Sequence, residues 1–480
     1  MRLPLLFLLA LLMAARCFAQ ALPDLGDASQ AVFTPTTERR MGESIMEKVR
    51  MDRSYRDDPV VTDYLNSLGN RLVAASPDSR QSFEFFLLDD LSVNAFALPG
   101  GFIGVHAGLI LTAEAESELA GVLAHEVAHV TQRHIARMIA GQERSQLAAL
   151  AALAVGLLAA RSNSQLGEAV IAGSQAAAIQ NQLDFSRDAE READRVGVQI
   201  LQQAGFDAAA MPLFMERLQR AGRVYEFNAA PAYLRTHPVT TERIADLQNR
   251  TESIAYKQVP GNVEFQIVRA RVRANSTDPH QAVKFFELAL KDRRFINEAA
   301  TRYGLALALL RAKDYTRASR ELAELEALLP RSPAVSALRG QLLIASGDYG
   351  AAIQHYAAAV QAHPNYRALV YDRADVLILS GEPDAALGML EARLRNHPDD
   401  TRLYILQSRA YAAQGKRLLQ HKAQAEAYAR QGMIGAAVEQ LQIAARSGDG
   451  DFYQLSSVEA RLRELRAQLK TLEKERRQAQ

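Results

Sequence analysis

His125-Glu126-Val127-Ala128-His129 is a stretch whose spacing is set by a helix. At about 100° per residue, the two histidines fall one turn apart on one face, with Glu126 about a quarter turn from His125. Two neutral imidazoles so placed are metal ligands, and a carboxylate beside them can take a proton from water and pass it to a leaving amine. These residue types therefore point to zinc-assisted hydrolysis, in which the metal lowers the pKa of water to about 7. Around the motif, Leu119, Val122, Leu123, Val127 and Val130 make an apolar stripe. Glu114, Glu116 and Glu118 suit the positive helix end, and Thr112 is the expected cap. No Gly or Pro lies between Val122 and Ile139, which predicts an unbroken helix through that span.

A third ligand must come from downstream. The continuation His-Glu-x-x-His-x-x-Gly-x-x-His fails, because Gln132 and Ile135 stand at its Gly and last His positions. On an unbroken helix His134 is rotated about 140° off the ligand face, which puts it at the surface or behind the ligands. Ser186-Arg-Asp-Ala-Glu190-Arg-Glu-Ala-Asp194-Arg-Val-Gly197 reads instead as a second helix, capped by Ser186, with Glu190 and Asp194 one turn apart. One carboxylate can bind zinc while the other orients a ligand imidazole through its ring N–H.

At these residues the chain resembles the M48 family of gluzincin metallopeptidases, in which His-Glu-x-x-His is followed on a later helix by Glu-x-x-Ala-Asp. The resemblance implies one zinc per subunit, with His125, His129 and Glu190 as ligands, Glu126 as general base and Asp194 behind the ligands. Two further stretches match: Asn94-Ala-Phe-Ala-Leu-Pro-Gly-Gly101 before the motif, and Thr236-His237-Pro238 followed by Glu242-Arg243-Ile244. A residue before proline avoids the helical region, so His237 is expected on a loop that can approach the metal's open position. It then either caps the zinc, as the resemblance implies, or binds the transition-state oxyanion. Phe83 to Leu88 and Phe102 to His106 are short β-prone runs around the Pro-Gly-Gly turn, consistent with a small sheet whose edge can hold a substrate strand.

The chain has 480 residues, a net charge of +1 and 48% hydrophobic residues, which allows two or three domains and gives no bulk charge for nucleic acid. Residues 1–21 read as a cleavable secretory signal, with Arg2 ahead of the apolar run Leu3 to Ala15. Cys17, the one cysteine, leaves with that signal, so neither disulfides nor thiolate chemistry is expected, and the setting is a bacterial periplasm. Leu147 to Ala160 is an apolar run that spans about 21 Å as a helix, too short for a hydrocarbon core near 30 Å. With Ala169 to Ile179 it is expected to form a lid or to touch a membrane through residues 147–179.

Beyond residue 255 the sequence turns periodic. Pro330, Pro364 and Pro398 recur every 34 residues, as do Ala318, Ala352 and Ala386, and Gly347, Gly381 and Gly415. That is a tetratricopeptide-like array of helix pairs, with a degenerate unit at Asn262 to Asn297. The period breaks after Asp400 with an added helix, and a charged helix caps the end. The expected fold is mainly α: a metallopeptidase domain with a small β-sheet over 22–255, an α-solenoid of repeats over 262–448, and a capping helix over 456–480.

The family resemblance implies a periplasmic zinc endopeptidase with a chaperone-like role, acting on unfolded or misfolded outer-membrane proteins. The repeats would hold it on the outer-membrane barrel assembly machinery. A chaperone or scaffold with a latent zinc site, and an integral membrane protease, are the alternatives.

Overall fold

A computed structural model describes residues 33–78, 81–140, 187–224, 232–254 and 261–478. The expected signal at 1–21 with Cys17, the cap Ser186 and the apolar stretches within 147–179 lie outside the described residues. The first half opens with helix α1 (Pro35–Met51), strand β1 (Tyr55–Arg56) and helix α2 (Pro59–Ala74), whose start is capped by the Asp58 carboxylate. Strands β2 (Glu84–Leu88), β3 (Ala95–Leu98) and β4 (Phe102–His106) complete a sheet of order β1-β2-β4-β3. β2 and β4 run parallel, with Phe85 opposite Ile103, and β3 lies antiparallel on β4, with Ala97 opposite Ile103. The Pro99-Gly100-Gly101 turn therefore joins β3 to β4, and both glycines take the positive φ, 79° and 85°, that a side chain resists. Among the described residues β3 is left as an edge strand.

A short helix α3 (Ala107–Thr112) leads into α4 (Glu116–Thr131), which carries the motif. Every residue of α4 is buried, as a helix apolar on all sides requires. Two expectations are corrected here. Thr112 ends α3 instead of capping α4; α4 starts after Ala115, and the Glu118 carboxylate accepts the Glu114 N–H at 2.7 Å. Nor is the helix unbroken to Ile139, because it stops at Thr131 and a separate helix, α5 (His134–Ala140), follows. Neither Gly nor Pro marks this break. Arg133 takes a φ of 54° there, its guanidinium donating to the Phe33 carbonyl at 2.6 Å and lying 3.6 Å from Glu38.

Helix α6 (Arg187–Gln203) packs against α4, and Gly197 sets how closely they meet. A Cβ at Gly197 would stand 3.3 Å from both the amide nitrogen and the Cα of His125. Helices α7 (Ala210–Val224), α8 (Ala232–Thr236) and α9 (Thr241–Glu252) close the first half.

The second half is a run of paired helices: α10 (Val263–Asn275), α11 (Pro279–Lys291), α12 (Glu298–Arg311), α13 (Tyr315–Leu328), α14 (Pro333–Ala345) and α15 (Tyr349–Ala362). It continues through α16 (Arg367–Leu379), α17 (Pro383–Asn396), α18 (Thr401–Ala413), α19 (Arg417–Arg430), α20 (Ile434–Ala445) and α21 (Phe452–Gln478). Pro330, Pro364 and Pro398 each follow the second helix of a pair, and Ala318, Ala352 and Ala386 are fully buried. Gly347, Gly381 and Gly415 take φ of 79°, 83° and 72° at the turns, and Lys313, one period earlier, accepts 62° in the same place. Gly432, also left-handed, follows Gly415 after half a period, so α19 is the expected added helix. The final helix buries Val458, Leu462 and Leu465 beside Leu441, which closes the array.

The two halves share cores. Phe265, Val268 and Val272 of α10 pack in one cluster with Leu119 and Phe214, while Val60 of α2 packs with Ile267 and Tyr303. Arg271 pairs with Asp58 at 2.7 Å, Arg367 pairs with Asp63, and Asn262 donates to Glu116 at 2.6 Å.

Within the repeats, Asp372 accepts from Gln341 at 3.0 Å and Tyr356 at 3.1 Å. Burial nonetheless pushes its carboxyl up to about 6. The folded state thus holds this proton more tightly than the unfolded chain, so stability falls as pH rises from about 4 to about 6 and stays lower above. Asp372→Asn keeps an acceptor for both donors and removes the charge. It should raise the melting temperature by roughly 2–4 °C at pH 7.5 and by nothing measurable at pH 4 in thermal unfolding.

Candidate metal centre

The α4 histidines aim at one point. Their Nε2 atoms lie 2.9 Å apart, and Glu190 on α6 brings Oε1 to 3.3 Å from His129 and Oε2 to 3.5 Å from His125. His237, just past the end of α8, sets Nδ1 2.9 Å from Glu190 Oε1 and 3.4 Å from His125 Nε2. One donor atom from each of these four buried residues falls within 4.8 Å of the others. Imidazole nitrogen with carboxylate oxygen is a donor set that zinc takes, and this group can hold the ion.

Glu126 supports that fit. It is fully buried, and Oε1 lies 3.5 Å from His237 Nε2. Among the described residues no side chain donates a hydrogen bond to its carboxylate, on which the Ala97 backbone N–H acts. Buried carboxylates are otherwise satisfied, so these oxygens suit a water or substrate donor at the centre. Burial pushes the Glu126 carboxyl up, against the pull of His237 and His125. The Tyr233 hydroxyl is likewise buried without a partner, while its ring stacks on His237 at 4.8 Å.

Each α4 histidine is held from behind. Asp194 Oδ1 lies 3.0 Å from His125 Nδ1, the ring nitrogen turned away from the centre. Burial alone would depress His125, yet Asp194 and Glu190 raise it to about 10, so a cation entering this site competes with a proton. His129 goes the other way: burial holds it well below the ordinary range. Its Nδ1 meets His134 Nδ1 at 2.8 Å, and His134 Nε2 reaches Glu192 at 3.1 Å, which Arg137 clasps at 2.6 Å. One ligand thus leans on a carboxylate directly and the other through a second imidazole. Burial depresses His134 to about 4, leaving it neutral and able to accept from His129 while donating to Glu192.

Arg243 ties the carboxylates together. It donates to both Asp194 oxygens at 2.7 and 2.8 Å, lies 2.7 Å from Glu190 Oε2, and donates to the Pro238 carbonyl at 2.8 Å. Burial would raise both acids, but Arg243 and His125 pull Asp194 below its usual range, and the three histidines do the same for Glu190.

All six residues singled out from the sequence, His125, Glu126, His129, Glu190, Asp194 and His237, meet in this pocket. Of the two places open to His134, the structure has the one behind the ligands, because the break after Thr131 turns it back onto His129. Sequence reasoning assigned no role to Arg243, Tyr233 or Glu192. Arg243 carried one signal, its place in the Glu242-Arg243-Ile244 stretch that follows Thr236-His237-Pro238 and matches the family.

Comparison with known proteins agrees with this geometry. The pattern of Peptidase family M48 matches residues 59–251, and a tetratricopeptide repeat pattern matches 343–410. The beta-barrel assembly-enhancing protease of Escherichia coli is 34% identical over 65% of this chain and 64% of its own length. A Vibrio cholerae protein that carries the same name provisionally is 37% identical over 66% of this chain and 67% of its own. Mitochondrial metalloendopeptidase OMA1 of Schizosaccharomyces pombe is 32% identical over 44% of this chain and 60% of its own. The alignments thus span about two thirds of the bacterial relatives.

His134→Ala leaves all four candidate donors in place yet removes the support behind His129. It should weaken zinc binding about 10–100-fold, read by competition with a chelator, while the far-UV circular dichroism is unchanged.

Proposed function

The chain belongs to peptidase family M48, and from that premise we propose a zinc endopeptidase whose centre is held by His125, His129 and Glu190, with Glu126 as the base. The observation that carries this reading is the meeting of those donors with a buried Glu126 to which no described side chain donates a hydrogen bond. A zinc ion bound there supplies a polarised peptide carbonyl and a water made acidic enough to attack. Glu126 takes the proton of that water and delivers it to the departing amine, and its raised affinity for protons suits both steps. Asp194 and His134 fix the ligand rings, and Arg243 keeps Asp194 charged although buried, as the three histidines do for Glu190.

Substrate binding follows from the sheet. β3 is an edge strand packed on α4, so an extended polypeptide can add to it by backbone hydrogen bonds, whatever its sequence. This suits unfolded or misfolded clients. The relatives' name supports a periplasmic role in outer-membrane barrel assembly, with the repeats holding the enzyme on clients or on assembly machinery. Among the described residues no helix is long and apolar enough to cross a membrane.

His237 favours a latent resting state. Its Nδ1 reaches into the ligand group, where a fourth protein donor takes the position that substrate or water needs.

The zinc-loaded protein is expected to cut casein slowly. Glu126→Gln should lower that rate at least about 100-fold, near 2.7 kcal/mol of barrier, without loss of zinc. His237→Ala should raise it several-fold. A Glu126→Gln protein that cuts at the normal rate overturns the base assignment, and a slower His237→Ala protein turns His237 from a latch into an oxyanion ligand.

A further inference from the structure

α10, α11 and the loop entering α12 line an open cavity of about 230 Å³ that also touches Leu111 of the first half. Arg269 and Arg273, one turn apart on α10, both line it. Neither forms an ion pair with any described residue: Arg269 donates only to the Leu111 carbonyl, at 3.2 and 3.1 Å, and Arg273 lies 5.1 Å over the Phe285 ring. The acids that act on Arg269, Glu114 and Glu118, are both engaged by Arg217, which lies 3.6 Å from Glu114 and holds Glu118 by two hydrogen bonds of 2.7 and 2.6 Å. Burial lowers the proton affinity of both guanidiniums, and Arg273 lowers that of Arg269 further, an effect that Glu114 and Glu118 partly offset. Two half-buried cations with no described acid in contact are a cost to the fold that an anionic ligand reduces.

The rest of the lining includes an apolar group. Phe285 and Ile296 are 49% and 62% exposed, and Phe295 lines the cavity with them. The cavity has room for one large side chain, not for a folded partner. Carboxylate and apolar group on a single residue describe the C-terminal residue of a polypeptide. An internal acid would bring chain on both sides and leave the apolar group to a second residue.

We infer that this pocket captures the free C-terminus of an extended polypeptide, its carboxylate on Arg269 and Arg273 and its aromatic or aliphatic side chain against Phe285 and Ile296. The site is separate from the zinc centre and does not depend on the reading of that centre. It makes the first repeat a reader of chain ends.

The test is fluorescence anisotropy of a labelled ten-residue peptide ending in phenylalanine, titrated with full-length Glu126→Gln protein so that the probe is not cut. The free acid should bind at least tenfold more tightly than the same peptide amidated, and more tightly than one ending in serine. Arg273→Gln should abolish the preference for the free acid, and Arg273→Lys should restore part of it. Ile296→Asp, at an exposed position that folding tolerates, should weaken the free acid tenfold. Equal binding of acid and amide, no binding of either, or unchanged binding by Arg273→Gln and Ile296→Asp overturns the proposal.

Discussion

Contact between α4 and α6 is the constraint on which the rest of this molecule depends. Two imidazoles must face two carboxylates across a dry interface, and only close approach of the helix backbones allows it. Gly197 provides that approach opposite His125, where a methyl group would press on the backbone. The cluster it creates is expensive to bury, because carboxylates leave water reluctantly. Arg243 answers the cost for Glu190 and Asp194, and by reaching the Pro238 carbonyl it also fixes the loop that presents His237. Sheet, motif helix and His-Pro loop are therefore held in register by one charged knot.

Much of this was legible in the chain because its signals are local. His125, Glu126 and His129 share one helix, Glu190 and Asp194 another, and spacing alone put each pair on a face. The 34-residue period likewise announced the helix pairs, since buried Ala, left-handed Gly and terminal Pro each mark a local backbone demand. What stayed hidden depends on contacts distant in sequence. The break after Thr131 has no glycine or proline, because a hydrogen bond from Arg133 to Phe33, far back in the chain, replaces one. The same break decides between the two places open to His134, at the surface or behind the ligands. Thr112 has the right chemistry for a cap, but α3 claims it first.

The boundary between the halves was equally opaque. Composition changes near residue 255, and the repeats look self-contained from there. Yet α10 turns Phe265, Val268 and Val272 into the metallopeptidase core and Ile267 into the repeat core, one helix with two apolar faces. Its helical amphipathicity is correspondingly blurred, and a helix apolar on more than one side gives no sign of which neighbours it will find.

That shared helix changes what kind of object the array is. A free solenoid is a chain of like links, any of which can open first, and whose ends swing independently. Here the first link is cast into the enzyme, and Arg271, Arg367 and Asn262 add fastenings along the same seam. The repeats are thus a bracket fastened at its base and again further along its span, since Arg402 lies 3.6 Å from Asp57 and Arg50 donates to the Gln431 carbonyl at 3.2 Å. Adding or losing a unit would carry these later contacts out of reach of α1 and β1, so the number of repeats is tied to where the array must meet the first half again.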